Sequence, residues 1–212
     1  VRCNRTVLLE RDIQKIWSAG KGDKYELPVL LASWMGLRMS EVRGLKFGDI
    51  LEQEQEQTQN KRRVVHVQRA LVHAKGQDIE KLPKTAAGDR WLELPDEIYE
   101  LILKEKAKIG VEKFNPTNYI CPYSISAINR GFDRICEKAG VGHFRFHDLR
   151  HFAASESLAL GVPDKYSIRR MGHATESILK TVYQHTMDDK EVEFGKLIDK
   201  HLKELYNAEN EV

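Results

Sequence analysis

His147-Asp148-Leu149-Arg150-His151 opens a stretch that runs on through Met171-Gly172-His173 to Val182-Tyr183-Gln184-His185. A guanidinium and imidazoles can hold and neutralise a phosphate, and a tyrosine hydroxyl can form a covalent bond to it. This order of residues is therefore equipment for attack on a phosphodiester. Taken singly, an Arg or a Tyr on a helix is usually packing or solvated surface, and only the company of the others argues for chemistry. On a helix starting near His147, offsets of three and four put His147, Arg150 and His151 on one face. The residues leave open a plain polar face, or a zinc site, since His-x-x-x-His spacing suits that metal. The charge of Arg150 between the two imidazoles opposes a bound cation, and no third ligand is evident, so no metal is expected.

Upstream, the apolar spacing predicts helices over residues 8–18 and 25–35, the second ended by Gly36. A short helix is expected from Ser40, whose hydroxyl can cap the following amides. Arg38 then stands at a helix junction beside a positive helix N-terminus, a place that suits an anion. Residues 52–60, rich in Glu and Gln, have nothing to bury and read as an exposed loop. Residues 63–72 and 91–94 have strand character, with a turn at Ala87-Gly88-Asp89, so Lys84 is expected near the tip of a β-hairpin. A short strand is expected around Tyr119-Ile120-Cys121. The remaining chain reads as helices over 96–108, 124–139, 147–160, 165–171, 178–184 and 188–206. No internal repeat and no long linker divides it.

The chain has 212 residues, 41% hydrophobic and 31% charged, enough for one good-sized domain with a proper core. No window approaches the apolar length of a membrane span, and the N-terminus lacks the apolar core of a signal peptide, so the chain reads as cytoplasmic. Cys3, Cys121 and Cys136 are odd in number and widely spaced, which suggests reduced thiols. The net charge of +2 is uneven: residues 188–212 hold eight acids against four Lys, leaving residues 1–187 at +6. Lys61, Arg62, Arg63, Arg69, Lys75, Lys81, Lys84 and Arg90 fall in one region, as a phosphate-facing surface or a solvated charged hairpin would.

With Arg38 in Gly36-Leu37-Arg38-Met39-Ser40-Glu41, Lys84-Thr85, His147 to His151, Gly172-His173 and Tyr183, the chain resembles the tyrosine recombinase (phage integrase) family over essentially its whole length. The resemblance implies an α+β, mainly α-helical catalytic fold with a small antiparallel β-hairpin or sheet at one edge. Residues 1–187 would form the catalytic body, and 188–212 an acidic amphipathic helix and tail of the same domain, open to exchange between protomers. It also implies roles. Arg38 and Arg150 grip the non-bridging phosphate oxygens, Tyr183 is the nucleophile, His147 assists as base, Lys84 is the general acid, and His173 holds the phosphate or positions the tyrosine. Glu41 orients the arginines, and His151 supports the site or the structure.

The activity implied is site-specific DNA recombination through a 3′-phosphotyrosyl intermediate, with no metal, ATP or other cofactor. The partner is a double-stranded DNA core site, bound as a tetramer, with a monomer or weak oligomer when free and no membrane association. A type IB topoisomerase shares the Arg, Lys, His and Tyr chemistry, and a catalytically silent DNA-binding module is the alternative outside enzymes. Tyr183 follows His173 by ten residues, one more than in many relatives, and residues 52–60 lengthen the approach to the hairpin. Val1 in place of Met fits the expectation of a C-terminal catalytic domain taken from a longer integrase.

Overall fold

The computed structural model describes residues 8–54, 61–83 and 88–172. Its centre is α2 (Glu26–Ser33), in which every residue from Leu27 to Ser33 is buried. A helix apolar all round has no solvent face and must be covered on every side. Leu27, Leu30 and Leu31 enter one core cluster, with Val65, Leu92 and Ile98, while Val29 and Ala32 enter the other, with Ile16, Phe132 and Phe152. α2 is thus the shared wall between a sheet layer and a helical layer.

The helical layer is α1 (Glu10–Gly20), α5 (Ile125–Ala139) and α6 (Phe146–Ala159). Ile128, Phe132 and Ile135 recur at helical spacing on α5 and are all buried. Its start is capped by Ser124, whose Oγ accepts from the Ala127 amide at 3.2 Å. α4 (Asp96–Ile109) covers the sheet, and α7 (Asp164–Met171) follows α6.

The sheet layer has three antiparallel strands in the order β1 (Ile50–Glu54), β2 (Lys61–Val67) and β5 (Arg90–Glu93), with Val65 opposite both Ile50 and Leu92. A separate hairpin pairs β3 (Ala70–Ala74) with β4 (Gln77–Lys81). Its two turn residues, Lys75 and Gly76, both have positive φ, as a type I′ turn requires. The architecture is the expected one, mainly helical with a small antiparallel sheet.

Several local expectations change. The single strand expected over 63–72 is two strands in two sheets. Asp49, only 3% exposed, causes the break: it accepts from Gln68 Nε2 at 2.9 Å and from Arg69 Nη1, which pulls the chain off the ladder between β2 and β3. β1 reaches Glu54, so the loop expected from residue 52 starts later, and residues 55–60 lie outside the described residues. Around Tyr119 there is one bridge, to Lys46, instead of a strand. The hairpin-tip expectation for Lys84 lies outside the described residues; the strands that precede and follow it, β4 and β5, belong to different sheets. The helices expected over 178–184 and 188–206 lie outside the described residues.

Cys121 and Cys136 are unbridged and buried, and burial pushes both thiols up, Cys136 to about 11. Cys3 is outside the described residues. Among those residues, no helix is long and apolar enough to cross a membrane.

Candidate active site

Gly36 sets the site in place. It has φ +72, and a Cβ there would stand 2.5 Å from the Sδ of Met171, so this backbone can approach the end of α7 only without a side chain. The turn carries Arg38 to the N-cap of α3 (Met39–Gly44). The helix begins at Met39 and not at Ser40, and Glu41 from within its first turn, not the serine, satisfies the N-cap amide: Glu41 Oε2 accepts from the Arg38 N–H at 2.9 Å. Glu41 Oε1 accepts from Arg38 Nη1 at 2.7 Å, so one carboxylate orders both the backbone and the side chain of Arg38.

Arg150, on α6, is 3% exposed. It donates through Nη1 to the Gly36 carbonyl and through Nη2 to the Met171 carbonyl, and Nη1 lies 3.9 Å from Glu41 Oε2. Arg38 Nη2 donates to the Gly172 carbonyl at 2.9 Å. Both guanidiniums therefore meet the carbonyl end of α7, the negative pole of that helix. α7 stops there because Gly172 is left-handed, with φ +62.

The sequence groups Arg90 with a phosphate-facing surface or a solvated charged hairpin, whereas its side chain is 1% exposed and forks onto Glu41, Nη1 to Oε1 at 3.1 Å and Nη2 to Oε2 at 3.0 Å. Burial opposes ionisation of Glu41, but the hydrogen bonds and charges of Arg90 and Arg38 outweigh it and hold the carboxyl below its ordinary range. Burial, then the charge of Arg38, pushes Arg150 down to about 9, so it remains cationic at neutral pH. The other arginines of the basic region are engaged elsewhere: Arg62 with Glu93, Arg63 with Asp96 and Glu52, and Arg69 with Asp49.

His147 and His151 stand one turn apart on α6, with ring centroids 4.7 Å apart and planes near perpendicular. His147 keeps an exposed edge. The protein packed around the rest of the ring, then His151 and Arg150 beside it, push its pKa down to about 4, so the ring is neutral at physiological pH.

Of the sequence candidates, the structure gathers Arg38, Glu41 and Arg150 tightly and sets His147 and His151 alongside on α6. Lys84, His173 and Tyr183 lie outside the described residues. Pro83 and Gly88, which flank residues 84–87, approach so closely that a Cβ on Gly88 would meet the Pro83 Cβ at 2.6 Å. Among the described residues, no cluster of three His, Cys, Asp or Glu could hold a metal ion. The arrangement can bind a tetrahedral anion between two guanidiniums with the neutral His147 imidazole beside it. A separate cleft of ≈ 890 Å³ is lined by Trp17, Trp34, Trp91, Phe152, Tyr166 and Arg170, and contains neither Arg38 nor Arg150.

The phage integrase family model matches residues 7–190. A tyrosine recombinase XerC-like protein of Caldanaerobacter subterraneus subsp. tengcongensis is 30% identical, over 84% of this chain and 50% of the relative. The chain spans about half the length of the curated relatives it matches along most of its own length. The Tn1549 transposon integrase, solved in complex with transposon right end DNA, superposes with a TM-score of 0.69 at 22% identity, over 91% of this chain and 66% of that one. The XerA recombinase superposes with a TM-score of 0.65 at 20% identity, over 91% and 62%. These two likenesses establish the shared fold.

Proposed function

The chain belongs to the phage integrase family, and from that membership we propose that it is the catalytic domain of a site-specific DNA recombinase. The observation that carries this reading is the pair of guanidiniums, Arg38 and Arg150, held by Glu41 and main-chain carbonyls at the end of α7. A scissile phosphate between them has its non-bridging oxygens neutralised where a metal ion would otherwise serve, and the five-coordinate transition state gains more than the ground state.

Tyr183 attacks the phosphorus through its hydroxyl oxygen. The new O–P bond forms as the bond to the 5′ oxygen breaks, Lys84 gives that oxygen a proton, and the protein is left as a 3′-phosphotyrosyl ester. Attack by a 5′-hydroxyl of the exchanged strand reverses the step, so no ATP is consumed. His147, neutral and with a pKa of about 4, accepts a hydrogen bond from the tyrosine hydroxyl and takes its proton as the O–P bond forms, while Lys84 gives one up at the leaving oxygen. His173 contacts the phosphate or the tyrosine, and His151 supports His147.

The substrate is double-stranded DNA, engaged by several copies together. Residues 188–212, part of the same domain, carry an apolar stripe, Phe194, Leu197, Ile198, Leu202 and Leu205, that would dock on a neighbouring protomer. The aromatic cleft beside α7 supports that idea by offering an apolar surface.

The deciding experiment incubates the protein with nicked suicide DNA carrying its core site. A covalent adduct resistant to EDTA is expected, and Tyr183→Phe should abolish it while keeping DNA affinity. An adduct that persists in Tyr183→Phe, or that needs added metal, defeats the reading. Relaxation of plasmid lacking the site would point to topoisomerase activity instead.

A further inference from the structure

We infer that Arg90 is a positioning residue for strand cleavage, acting through Glu41 on Arg38; the inference rests on the recombinase reading above. Arg90 opens β5 on the inward face that it shares with Leu92, and its own burial keeps it from touching DNA. Its guanidinium holds three parts of the site at once. It grips both oxygens of Glu41, donates through Nε to the Arg170 carbonyl at 2.8 Å, and donates through Nη1 to the Gly88 carbonyl at 3.3 Å.

Each Glu41 oxygen also receives one bond from Arg38, so the carboxylate is fixed from two sides and cannot turn without breaking the Arg90 fork. Arg170 lies two residues before Gly172, whose carbonyl receives the other end of Arg38. Gly88 closes the segment that contains Lys84. Arg90 therefore sets both ends of Arg38, through Glu41 and through α7, and anchors the exit of the Lys84 connection to the same carboxylate. A lysine could keep the charge there but not the planar two-pronged grip.

The test compares single-turnover cleavage of two suicide DNAs, one normal and one with a methylphosphonate at the scissile linkage. That linkage is neutral and makes less demand on guanidinium charge. Arg90→Lys should slow cleavage of normal DNA about 10- to 100-fold with unchanged DNA affinity, the range for removing a group that orients a ligand-binding side chain. Most of that deficit should vanish on the methylphosphonate, as it should for Arg38→Ala. Equal deficits on both substrates, or a folded Arg90→Lys that cleaves normally, would overturn the inference. Should Arg90→Lys fail to fold, Glu41→Gln is expected to show the same substrate dependence, and its absence there would equally overturn it. If Arg38→Ala itself cleaves normal DNA at the unaltered rate, the recombinase reading has failed; if Arg38→Ala behaves as expected and Arg90→Lys does not, only the role of Arg90 has.

Discussion

On the outer part of the three-stranded sheet, Arg62 pairs with Glu93 and Arg63 with Asp96 and Glu52, so each cation has at least one carboxylate of its own. In the crevice at the end of α7, Arg38, Arg90 and Arg150 share Glu41 among the described residues, and each also donates to main-chain carbonyls. The outer cations are each matched by a carboxylate, while among the described residues the crevice sets three guanidiniums, Arg90 and Arg150 of them nearly fully buried, against the one carboxylate of Glu41. Coulomb attraction for an anion grows as water is removed, so on the proposed reading the region that gathers fewer basic residues in sequence would be the stronger phosphate site. Density of Lys and Arg along a chain is a poor guide to where an anion binds; the ratio of cations to nearby carboxylates is a better one.

The most severe way to break the contrast is to remove the shared carboxylate. Glu41→Ala should lower unfolding stability by about 3–5 kcal/mol, because it leaves buried guanidiniums uncompensated. Urea titration measures it. Glu41 has a depressed pKa, so its stabilisation is complete above about 4.3, the ordinary glutamate value, and is lost as pH falls through the depressed folded value. The penalty of Glu41→Gln should accordingly shrink in acid. A penalty that grows in acid would contradict the assignment.

Next in size is Arg150→Ala, which should cost about 3 kcal/mol or more of transition-state stabilisation, seen as a cleavage rate lowered by two or more orders of magnitude. A rate close to that of the unaltered chain would remove the anion site from this crevice. Gly36→Ala should be smaller, destabilising by roughly 1–3 kcal/mol, since an Ala must adopt φ +72 and meet Met171. Cleavage should fall with it, because the Gly36 carbonyl is an acceptor for Arg150. Thermal unfolding together with suicide-substrate cleavage reads both effects.

His147 sharpens the comparison without a mutation. Its folded pKa of about 4 lies below the unfolded value near 6.5, so its contribution to stability is full above about 6.5 and falls away as pH drops toward 4. Imidazole NMR should find a midpoint near 4, and a midpoint near 6.5 would mean that neither burial nor the neighbouring Arg150 weighs on the ring. The least effect is expected of Arg62→Ala. Its charge is already met by Glu93, so unfolding midpoint, cleavage rate and the salt dependence of DNA binding should all stay unchanged.

Much of this was legible beforehand. The helical period of Ile128, Phe132 and Ile135 marks α5 directly, and the boxes around Arg38 and Arg150 name the two guanidiniums that meet. The split between β2 and β3 was not legible, because no Gly or Pro marks it: a buried carboxylate from elsewhere in the chain, Asp49, makes the break. Arg90 was misread because arginine is ordinarily exposed. A signal existed in the strand period: Arg90, Leu92 and Leu94 share one parity, and all three are buried, while Trp91 and Glu93 face out. A charged residue in step with a buried apolar row calls for an internal carboxylate, and Glu41 is that partner. Arg43, 1% exposed, offered no such row to betray it.

That buried Arg43 has a practical corollary. It reaches both strands of the β3–β4 hairpin, donating to the Leu71 carbonyl at 3.1 Å and pairing with Asp78, and it is tied to the Tyr123 carbonyl at 2.8 Å. The hairpin is thus riveted to the body through its strands, while its tip at Lys75-Gly76 stands in solvent. A fluorophore or short peptide grafted into that tip would ride rigidly with the catalytic body and leave the strand register alone. It would make this hairpin a handle from which assembly on DNA could be followed by energy transfer.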